Sequence, residues 1–290
     1  MDVKYKVTTA LLLSLSLSSA YGSECSPDQI KKNKINNFII LDQSPLVKTP
    51  KHIDMITDST DDYIHSKNAV DFNACGELIS STSSLVKKTA GKNSTIISTQ
   101  ESTMRKTDYG LNALYTFNLS ATDTTTQKNS VLFDVKGESL YTQNKQGVLD
   151  KSHDRATTSL PSGQKVVSVA NTTYTLNSDN VLTHMSRKST LANDSMDMAY
   201  KYDASNRLIE KKSEKDLYEY TYDAQGRELS MTQTTTYFTV EKTVITCKEW
   251  NEFGQCTLSN QHITETSKNK KTGDEIITTH DAISKMSYTY

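Results

Sequence analysis

The sequence predicts a mainly β protein, with consecutive antiparallel hairpins in an open or curled sheet behind a small mixed α/β N-terminal region. Three observations predict this fold. A tyrosine-rich hairpin segment occurs twice, its turn recurs in weaker copies, and Thr, Ser, Tyr and Val dominate the later part of the chain. Such residues suit half-buried strands better than helices. We divide the chain into a signal peptide at residues 1–22, a mixed region at 23–100 and a hairpin region at 101–290.

The first segment has the features of a cleavable secretory signal peptide. Lys4 and Lys6 give a positive start, residues 10–17 form a short apolar run, and small residues follow as far as Gly22. This order of charge, apolar run and small residues is typical of export signals. No segment approaches the roughly 20 apolar residues of a spanning helix. The sequence therefore predicts a periplasmic or secreted protein with no membrane span in its mature part.

Four cysteines, all beyond the expected cleavage point, agree with export because exported chains use even sets of cysteines for disulfides. Cys247 and Cys256 flank a predicted hairpin turn that would bring them face to face. Cys25 would then pair with Cys75 and tie the mature N-terminus to its own region. A lipoprotein signal ending at Cys25 is the rival interpretation, and Glu24 argues against it because lipidation signals want a small residue there. The spacing lacks C-x-x-C and a nearby histidine pair, so we predict no metal site.

The mixed region contains one clear helix start. Ser26 is suited to cap a helix, and Pro27 follows at the first helical position. Residues 38–41 form an apolar segment that suits a core, and residues 73–86 suit a second helix or a strand.

Two near-copies of a hairpin segment, at residues 200–208 and 220–229, carry the fold prediction. Each copy begins with two tyrosines that are two residues apart. In an extended strand such residues project from one face, so the tyrosines form a stripe. The stripe consists of Tyr200, Tyr202, Tyr218, Tyr220 and Tyr222.

Each copy continues with a type I turn and a G1 bulge. Asp203 or Asp223 starts the turn, where a short polar side chain accepts bonds from the backbone. Asn206 or Gly226 then occupies a position that needs positive φ, which Asn and Gly adopt at low cost. An arginine begins the return strand, and three weaker copies keep the turn residues. These further residues are Arg207, Arg227, Asn144, Gly147, Asn177, Asn180, Asn251 and Gly254.

At these residues the chain resembles the YD-repeat family, also called Rhs repeats, which occur in bacterial Rhs proteins and animal teneurins. The resemblance implies consecutive antiparallel hairpins that spiral and, in long members, wrap into a hollow shell around a toxin. The repeats cover about half of this chain, and neither a proline-rich, aspartate-bearing end segment nor a toxin-sized segment follows them. The resemblance therefore implies a short open or curled sheet and not a closed cocoon.

The tyrosine stripe, with Arg207 and Arg227, is the candidate binding surface. Aromatic faces on an exposed sheet can stack on sugar rings, and the YD resemblance also implies carbohydrate binding. The structural alternative is that these tyrosines form cross-strand ladders, each good pair contributing roughly 0.2–1 kcal/mol. Both interpretations hold if one face of the sheet packs and the other is exposed.

Other function classes find little support in the sequence. It contains no G-x-S-x-G elbow, H-E-x-x-H motif, P-loop or dinucleotide glycine fingerprint, so we predict no catalytic activity. The net charge of -1 does not favour a nucleic-acid partner. We also expect no cofactor. Open sheet edges would allow self-association.

Three functional hypotheses follow. The first is a non-enzymatic secreted or periplasmic bacterial protein that uses the hairpin sheet to bind or scaffold envelope glycans or an envelope protein. The second, by family association, is an accessory or binding component of a contact-dependent toxin system. The third is an outer-membrane β-barrel, suggested by the alternation of Met286, Tyr288 and Tyr290. Barrel strands need about ten residues of lipid-facing apolar alternation, and residues 207–215 carry charges on both faces.

Overall fold

The computed structural model describes residues 25–43, 46–91, 93–108, 110–237, 239–268 and 273–290. The predicted signal peptide lies outside these residues. One helix, α1 (Pro27–Leu41), precedes a series of strands. The strands are β1 (His52–Ser59), β2 (Ile64–Phe72), β3 (Leu78–Ala90), β4 (Ser94–Thr107), β5 (Gly110–Asp123), β6 (Asn129–Gln143), β7 (Leu149–Ser159), β8 (Lys165–Leu176), β9 (Leu182–Ser189), β10 (Met196–Tyr202), β11 (Leu208–Lys212), β12 (Asp216–Tyr222), β13 (Glu228–Thr236), β14 (Val240–Trp250), β15 (Cys256–Lys268) and β16 (Glu275–Thr289).

Helix α1 begins and ends with capping residues. The Ser26 hydroxyl accepts a hydrogen bond from the Gln29 N–H (3.2 Å), and Pro27 follows the cap, as the sequence predicts. Asp42 ends the helix in the left-handed conformation, and its N–H donates to the Phe38 carbonyl. The helix start predicted from Ser26 and Pro27 is confirmed.

The sheet is a closed antiparallel barrel of sixteen strands among the described residues. Each strand pairs with the next along the chain, and β16 pairs with β1. The closing register runs from His52 opposite Thr289 to Ser59 opposite Ala282. The predicted open or curled sheet is therefore wrong. An open sheet leaves the N–H and C=O groups of two edge strands unpaired, whereas closure satisfies them and removes the edges expected to mediate self-association.

The predicted mixed α/β region contains a helix and strands, and its strands belong to the barrel. Only α1 is helical there, and β1 to β3 already belong to the barrel wall. Strand β4 runs across residue 100, where the sequence suggested a boundary. Of the two alternatives predicted for residues 73–86, the strand is confirmed, because a turn at Cys75 leads into β3.

Among the described residues, six hairpin turns that start at Asp or Asn share one geometry. In the turn that starts at Asp203, the Asn206 N–H donates to the Asp203 carbonyl and the Asp203 N–H donates to the Arg207 carbonyl, both at 2.9 Å. The Asp203 carboxylate accepts from the N–H groups of Ser205 and Arg207. Asn206 has φ 62°, the left-handed conformation expected at the bulge. The same backbone bonds occur in the turns that start at Asn73, Asn144, Asn177, Asp223 and Asn251.

All six turns join an even-numbered strand to the next odd-numbered strand, so they lie at one end of the barrel, here called the tight-turn end. The opposite end is called the far end. Helix α1 covers the lumen at the tight-turn end, where Phe38 and Ile39 are buried among inward-facing side chains of the wall. These wall residues are Phe72, Leu78, Leu111, Leu149, Tyr174, Leu182, Met198, Tyr200, Leu208 and Tyr220.

Candidate functional site in the barrel lumen

Asparagine side chains of α1 attach the helix to the tight turns. The Asn37 amide donates to the Gly76 carbonyl (2.7 Å), and its carbonyl oxygen accepts from the Leu78 N–H (3.3 Å). Asn36 does the same at another turn, with the Gly147 carbonyl (3.0 Å) and the Leu149 N–H (2.8 Å). Each amide thus satisfies one backbone acceptor and one backbone donor at the start of a strand. These four hydrogen bonds hold the helix against two of the tight turns.

The opposite side of α1 is held by a buried lysine. Lys211 is 1% exposed, and its ammonium group lies 2.9 Å from the Asp42 carboxylate and donates to the Asp42 carbonyl at 3.2 Å. It also lies 4.0 Å from the centre of the Tyr218 ring, a cation–π distance. A buried ammonium needs such partners, so Lys211 fixes the C-terminal end of α1 against β11.

The tyrosine stripe faces the lumen, not an exposed sheet. Tyr200 and Tyr220 are each 8% exposed, and the Tyr200 ring meets the Phe38 ring of α1 edge to face at 5.9 Å. The Tyr202 and Tyr222 hydroxyls donate to the carbonyls of Leu182 (2.8 Å) and Leu208 (2.7 Å) in the preceding hairpins. These contacts join successive hairpins, as the structural alternative requires. Glycan binding through the stripe stays a prediction, and the structure places the stripe on the lumen side and not on the outer surface of the sheet.

Arg207 and Arg227 also make contacts between hairpins. Each guanidinium pairs with the aspartate of its own turn at 2.7 Å, Asp203 and Asp223 respectively. Arg207 lies over the Tyr222 ring at 4.6 Å, and Arg227 lies over the next aromatic along the wall, Trp250, at 4.4 Å. The recurrence of aspartate and arginine is therefore accounted for by turn capping and stacking.

Both predicted cysteine pairings occur in the structure. Cys25, which precedes the Ser26 cap of α1, is joined to Cys75 in a tight turn, across 50 positions of sequence. Cys247 and Cys256 join β14 to β15 beside the turn that starts at Asn251. Two disulfides are compatible with a location outside the cytosol, such as the cell envelope, because disulfides persist in oxidising compartments.

A cavity of about 290 Å³ lies between α1 and the wall. Two neighbouring rows of inward-facing residues form its wall side, since antiparallel partners share a face of the sheet. One row reads Met286, Met55, Asn68, Ser83 and Ser102, and the other reads Tyr288, Ile53, Val70, Ser81 and Met104. Helix α1 and the chain after it contribute Lys34, Phe38, Ile40, Leu41 and Leu46. The cavity thus has methionine and aliphatic surfaces with a strip of hydroxyl and amide groups.

An ionic cluster crosses the lumen at the far end. Lys87 on β3 pairs with Glu241 on β14 and with Glu265 on β15, the latter at 3.0 Å. Four strands separate β3 from β14 in the wall, so the Lys87 contacts bridge the lumen. The Tyr63 hydroxyl donates to Glu265 at 2.8 Å, and its ring stacks on His280 at 3.6 Å. The far end is therefore narrowed by charged and aromatic side chains.

The cluster continues into the β1–β2 turn. His280 Nδ1 is hydrogen-bonded to the Asp61 carboxylate, and this bond is the main reason that the pKa of Asp61 lies below its usual range. The His280 Nε2 atom is buried and has no hydrogen-bond partner among the described residues. Tyr63, Lys87 and Glu265 were not predicted from the sequence, because Tyr63 lies in the β1–β2 turn, only strand alternation places Lys87 and Glu265 inside, and nothing local pairs the three.

A second cavity, of about 250 Å³, contains one arginine whose charge is already matched. Arg187 lies 2.7 Å from Asp154 and 3.0 Å from Asp194. Its guanidinium is therefore occupied by structural ion pairs. Within the described part of the chain, no cluster of His, Cys, Asp and Glu could hold a metal ion.

The outward face of the wall carries both polar and aliphatic side chains. One outward row, followed through thirteen successive positions of the register, contains only two aliphatic residues, Ile283 and Val86. The row reads Thr221, Ser230, Thr246, Asn260, Ile283, Asp58, His65, Val86, Thr99, Asn118, Asp134, Ser159 and Lys165. This row is polar at eleven of its thirteen positions, whereas other outward positions, such as Ile56, Leu114, Leu140 and Val167, carry exposed aliphatic side chains.

Comparisons with known proteins place the chain in no family. No family model matches it, and no curated protein matches it. Among solved structures it is similar to a porin-like protein from Bacteroides uniformis, with a TM-score of 0.43 and 13% sequence identity over 83% of this chain and 98% of that one. The barrel architecture therefore rests on the strand pairing of this chain. No helix in the described ranges is long and apolar enough to cross a membrane.

These findings correct the YD-repeat interpretation. Recognition of a YD-repeat or Rhs-like protein is wrong, because no family match supports it and the sheet closes on itself. The motif reflects local hairpin chemistry, in which aspartate caps the turn, Asn or Gly forms the bulge and tyrosine contacts the preceding hairpin. The toxin-system hypothesis depended on that resemblance and loses its support. A closed wall supports the outer-membrane β-barrel hypothesis better than the open binding sheet.

Proposed function

We propose that the protein is a non-enzymatic β-barrel of the cell envelope whose functional surface is its lumen. Closure of the wall is the observation that carries this proposal. Helix α1 covers one end and the Lys87 cluster narrows the other, so the interior is a compartment for small molecules. The known binding cavities of barrels likewise lie inside them.

Labelling of single cysteines tests whether the lumen is enclosed. Ser102→Cys places a thiol on the cavity wall, and Thr103→Cys places one on the outer face of the same strand. We expect both thiols to react with N-ethylmaleimide, and only Cys at position 103 to react with a large polyethylene-glycol maleimide. Equal reaction of both variants with the large reagent would overturn the proposal. Denatured samples provide the control for intrinsic reactivity.

A second candidate function is that of an outer-membrane pore. The closed antiparallel wall favours it, because only closed barrels and helices satisfy their backbone hydrogen bonds in lipid. The outward row counts against it, since lipid-facing walls carry an apolar band about 25 Å tall and each Lys or Arg at mid-bilayer costs roughly 2–4 kcal/mol. Asp134 lies within β6 and would meet lipid, whereas Asp58 and Lys165 lie at the far-end tips of β1 and β8, where a barrel wall reaches the membrane–water interface.

Fractionation of cells that express the full chain separates the two candidates. A barrel whose wall faces water is expected in the soluble envelope fraction after carbonate washing. A membrane-inserted barrel stays with the outer membrane and changes its gel mobility on heating. Recovery in the membrane pellet that only detergent releases would favour the pore.

A further inference from the structure

We propose that the cavity under α1 binds a single-chain fatty acid, with the acyl chain along the methionine surface and the carboxylate at Lys34. This inference rests on the proposed lumenal function and names its ligand class. Lys34 is the only charged residue among the described residues that line the cavity, and none of those residues is a carboxylate. An anionic head group therefore meets attraction and no like charge at the cavity mouth.

Lys34 is available for such a head group. Its ammonium group donates to the Val47 carbonyl at 3.0 Å. Within the described ranges, no carboxylate lies within ion-pair distance of the Lys34 ammonium group. Lys32 on the same helix, by contrast, already pairs with Asp28 at 2.7 Å. An ammonium group has three donors, so two remain for a carboxylate.

The cavity surfaces fit a flexible hydrocarbon chain. Met55 and Met286 are cross-strand partners, and Met104 closes the same space from β4. Methionine side chains are unbranched and adapt to irregular apolar ligands. From α1, Phe38 and Leu41 face the methionines across the cavity. An acyl chain would therefore contact apolar groups on two sides.

The polar strip has a separate role. Asn68, Ser83 and Ser102 are successive cross-strand partners on the lumen face. Their amide and hydroxyl groups make one side of the cavity polar. A compact apolar ligand that filled the cavity would cover these polar groups and leave them without hydrogen-bond partners. A thin acyl chain on the methionine surface would not cover them.

Calorimetric titration of the oxidised mature protein with dodecanoate tests the inference. We expect saturable binding of one dodecanoate and no binding of dodecyltrimethylammonium, which has the same chain and the opposite charge. Lys34→Gln should weaken dodecanoate binding about tenfold, the loss expected for one charge-assisted hydrogen bond. Lys31→Gln removes an exposed charge from the same helix and should leave the affinity unchanged.

A second pair of variants tests the place of binding. Ser102→Leu fills the cavity and should abolish binding, whereas Thr103→Leu adds the same side chain to the outer wall and should not. Equal binding of both amphiphiles, or no binding of dodecanoate to the folded protein, would overturn the fatty-acid proposal. The cysteine labelling above is independent of any ligand, so an enclosed lumen with no dodecanoate binding would reject the ligand class alone.

Discussion

The two ends of the barrel are closed by different physical means. At the tight-turn end, α1 buries Phe38 and Ile39 in an apolar core, and its asparagines satisfy the backbone of two turns. At the far end, a lysine and two glutamates meet across the lumen beside the stacked Tyr63 and His280 rings. The first closure depends on packing and backbone hydrogen bonds, and the second depends on charge. The tight-turn end should therefore dominate stability, and the far end should be the one that opens first.

The largest expected effect follows from removing the apolar contact of α1. Phe38→Ala should lower the free energy of unfolding by roughly 3–5 kcal/mol, because a buried ring is lost and a cavity remains. Urea unfolding followed by tryptophan fluorescence measures it. The control is Ile30→Ala on the exposed side of α1 (39% exposed), which should change stability by less than about 0.5 kcal/mol. Equal effects of the two variants would show that α1 does not close the barrel.

A smaller effect is expected from the helix-to-turn hydrogen bonds. Asn37→Ala leaves the Gly76 carbonyl and the Leu78 N–H without their amide partner. The expected loss is about 2 kcal/mol, in the range for buried backbone groups left unsatisfied. Hydrogen exchange of the Leu78 amide should accelerate more than that of Leu149, which Asn36 still holds. Unchanged exchange at Leu78 would contradict the attachment.

At the far end, Lys87→Met should destabilise the barrel by only about 1–2 kcal/mol. The ion pairs are partly exposed, so their loss lies between the values for surface pairs and buried pairs. Its neighbour Lys88 pairs with Asp62 on the outer face, which makes Lys88→Met the matched control, with an expected change under about 0.5 kcal/mol. Labelling of the cysteine introduced by Ser102→Cys should be faster when it is combined with Lys87→Met than when it is combined with Lys88→Met. Equal labelling rates in the two variants would show that the Lys87 cluster does not close the far end.

The two ends also differ in how far their residues could be predicted. The tight-turn end follows from local sequence, since Ser26 caps α1 and the Asp or Asn turns with their Asn or Gly bulges fix the hairpins. The far end depends on partners such as Lys87 and Glu241, which lie 154 residues apart. No local pattern connects such residues, so the cluster could not be predicted.

Closure was expected only in the outer-membrane barrel alternative and was absent from the main fold prediction for a related reason. Hairpin signals specify which neighbours pair, and they are the same in an open sheet and in a barrel. The pairing of β1 with β16 depends on total twist and strand number, which a turn motif does not encode. The tyrosines were placed on an exposed face because the alternation of Tyr200 and Tyr202 defines a shared face without stating which one is inside. The cavity under α1 depends on both closure and the position of α1, so it too lay beyond the sequence.

The smallest effect is expected from exchanging charged and neutral capping residues in the turns of the tight-turn end. Backbone N–H donation from Arg207, followed by its guanidinium, holds the pKa of Asp203 below its usual range. A depressed pKa in the folded state means stability that is present above the unfolded pKa and is lost as the pH falls through the folded value. The turns that start at Asn144 and Asn177 have the same bonds to a neutral amide.

Asp203→Asn should therefore leave the turn intact and slightly weaken the protein at neutral pH. Below about pH 4, where the aspartates of the unfolded chain begin to take up protons, the difference between the two proteins should shrink. Asn144→Asp is the reciprocal variant and should add a new acid-dependent loss of stability. Urea midpoints at neutral and acid pH measure both changes. A difference between Asp203→Asn and wild type that is the same at both pH values would show that Asp203 acts as a neutral cap, and that the charged turns are equivalent to the asparagine turns.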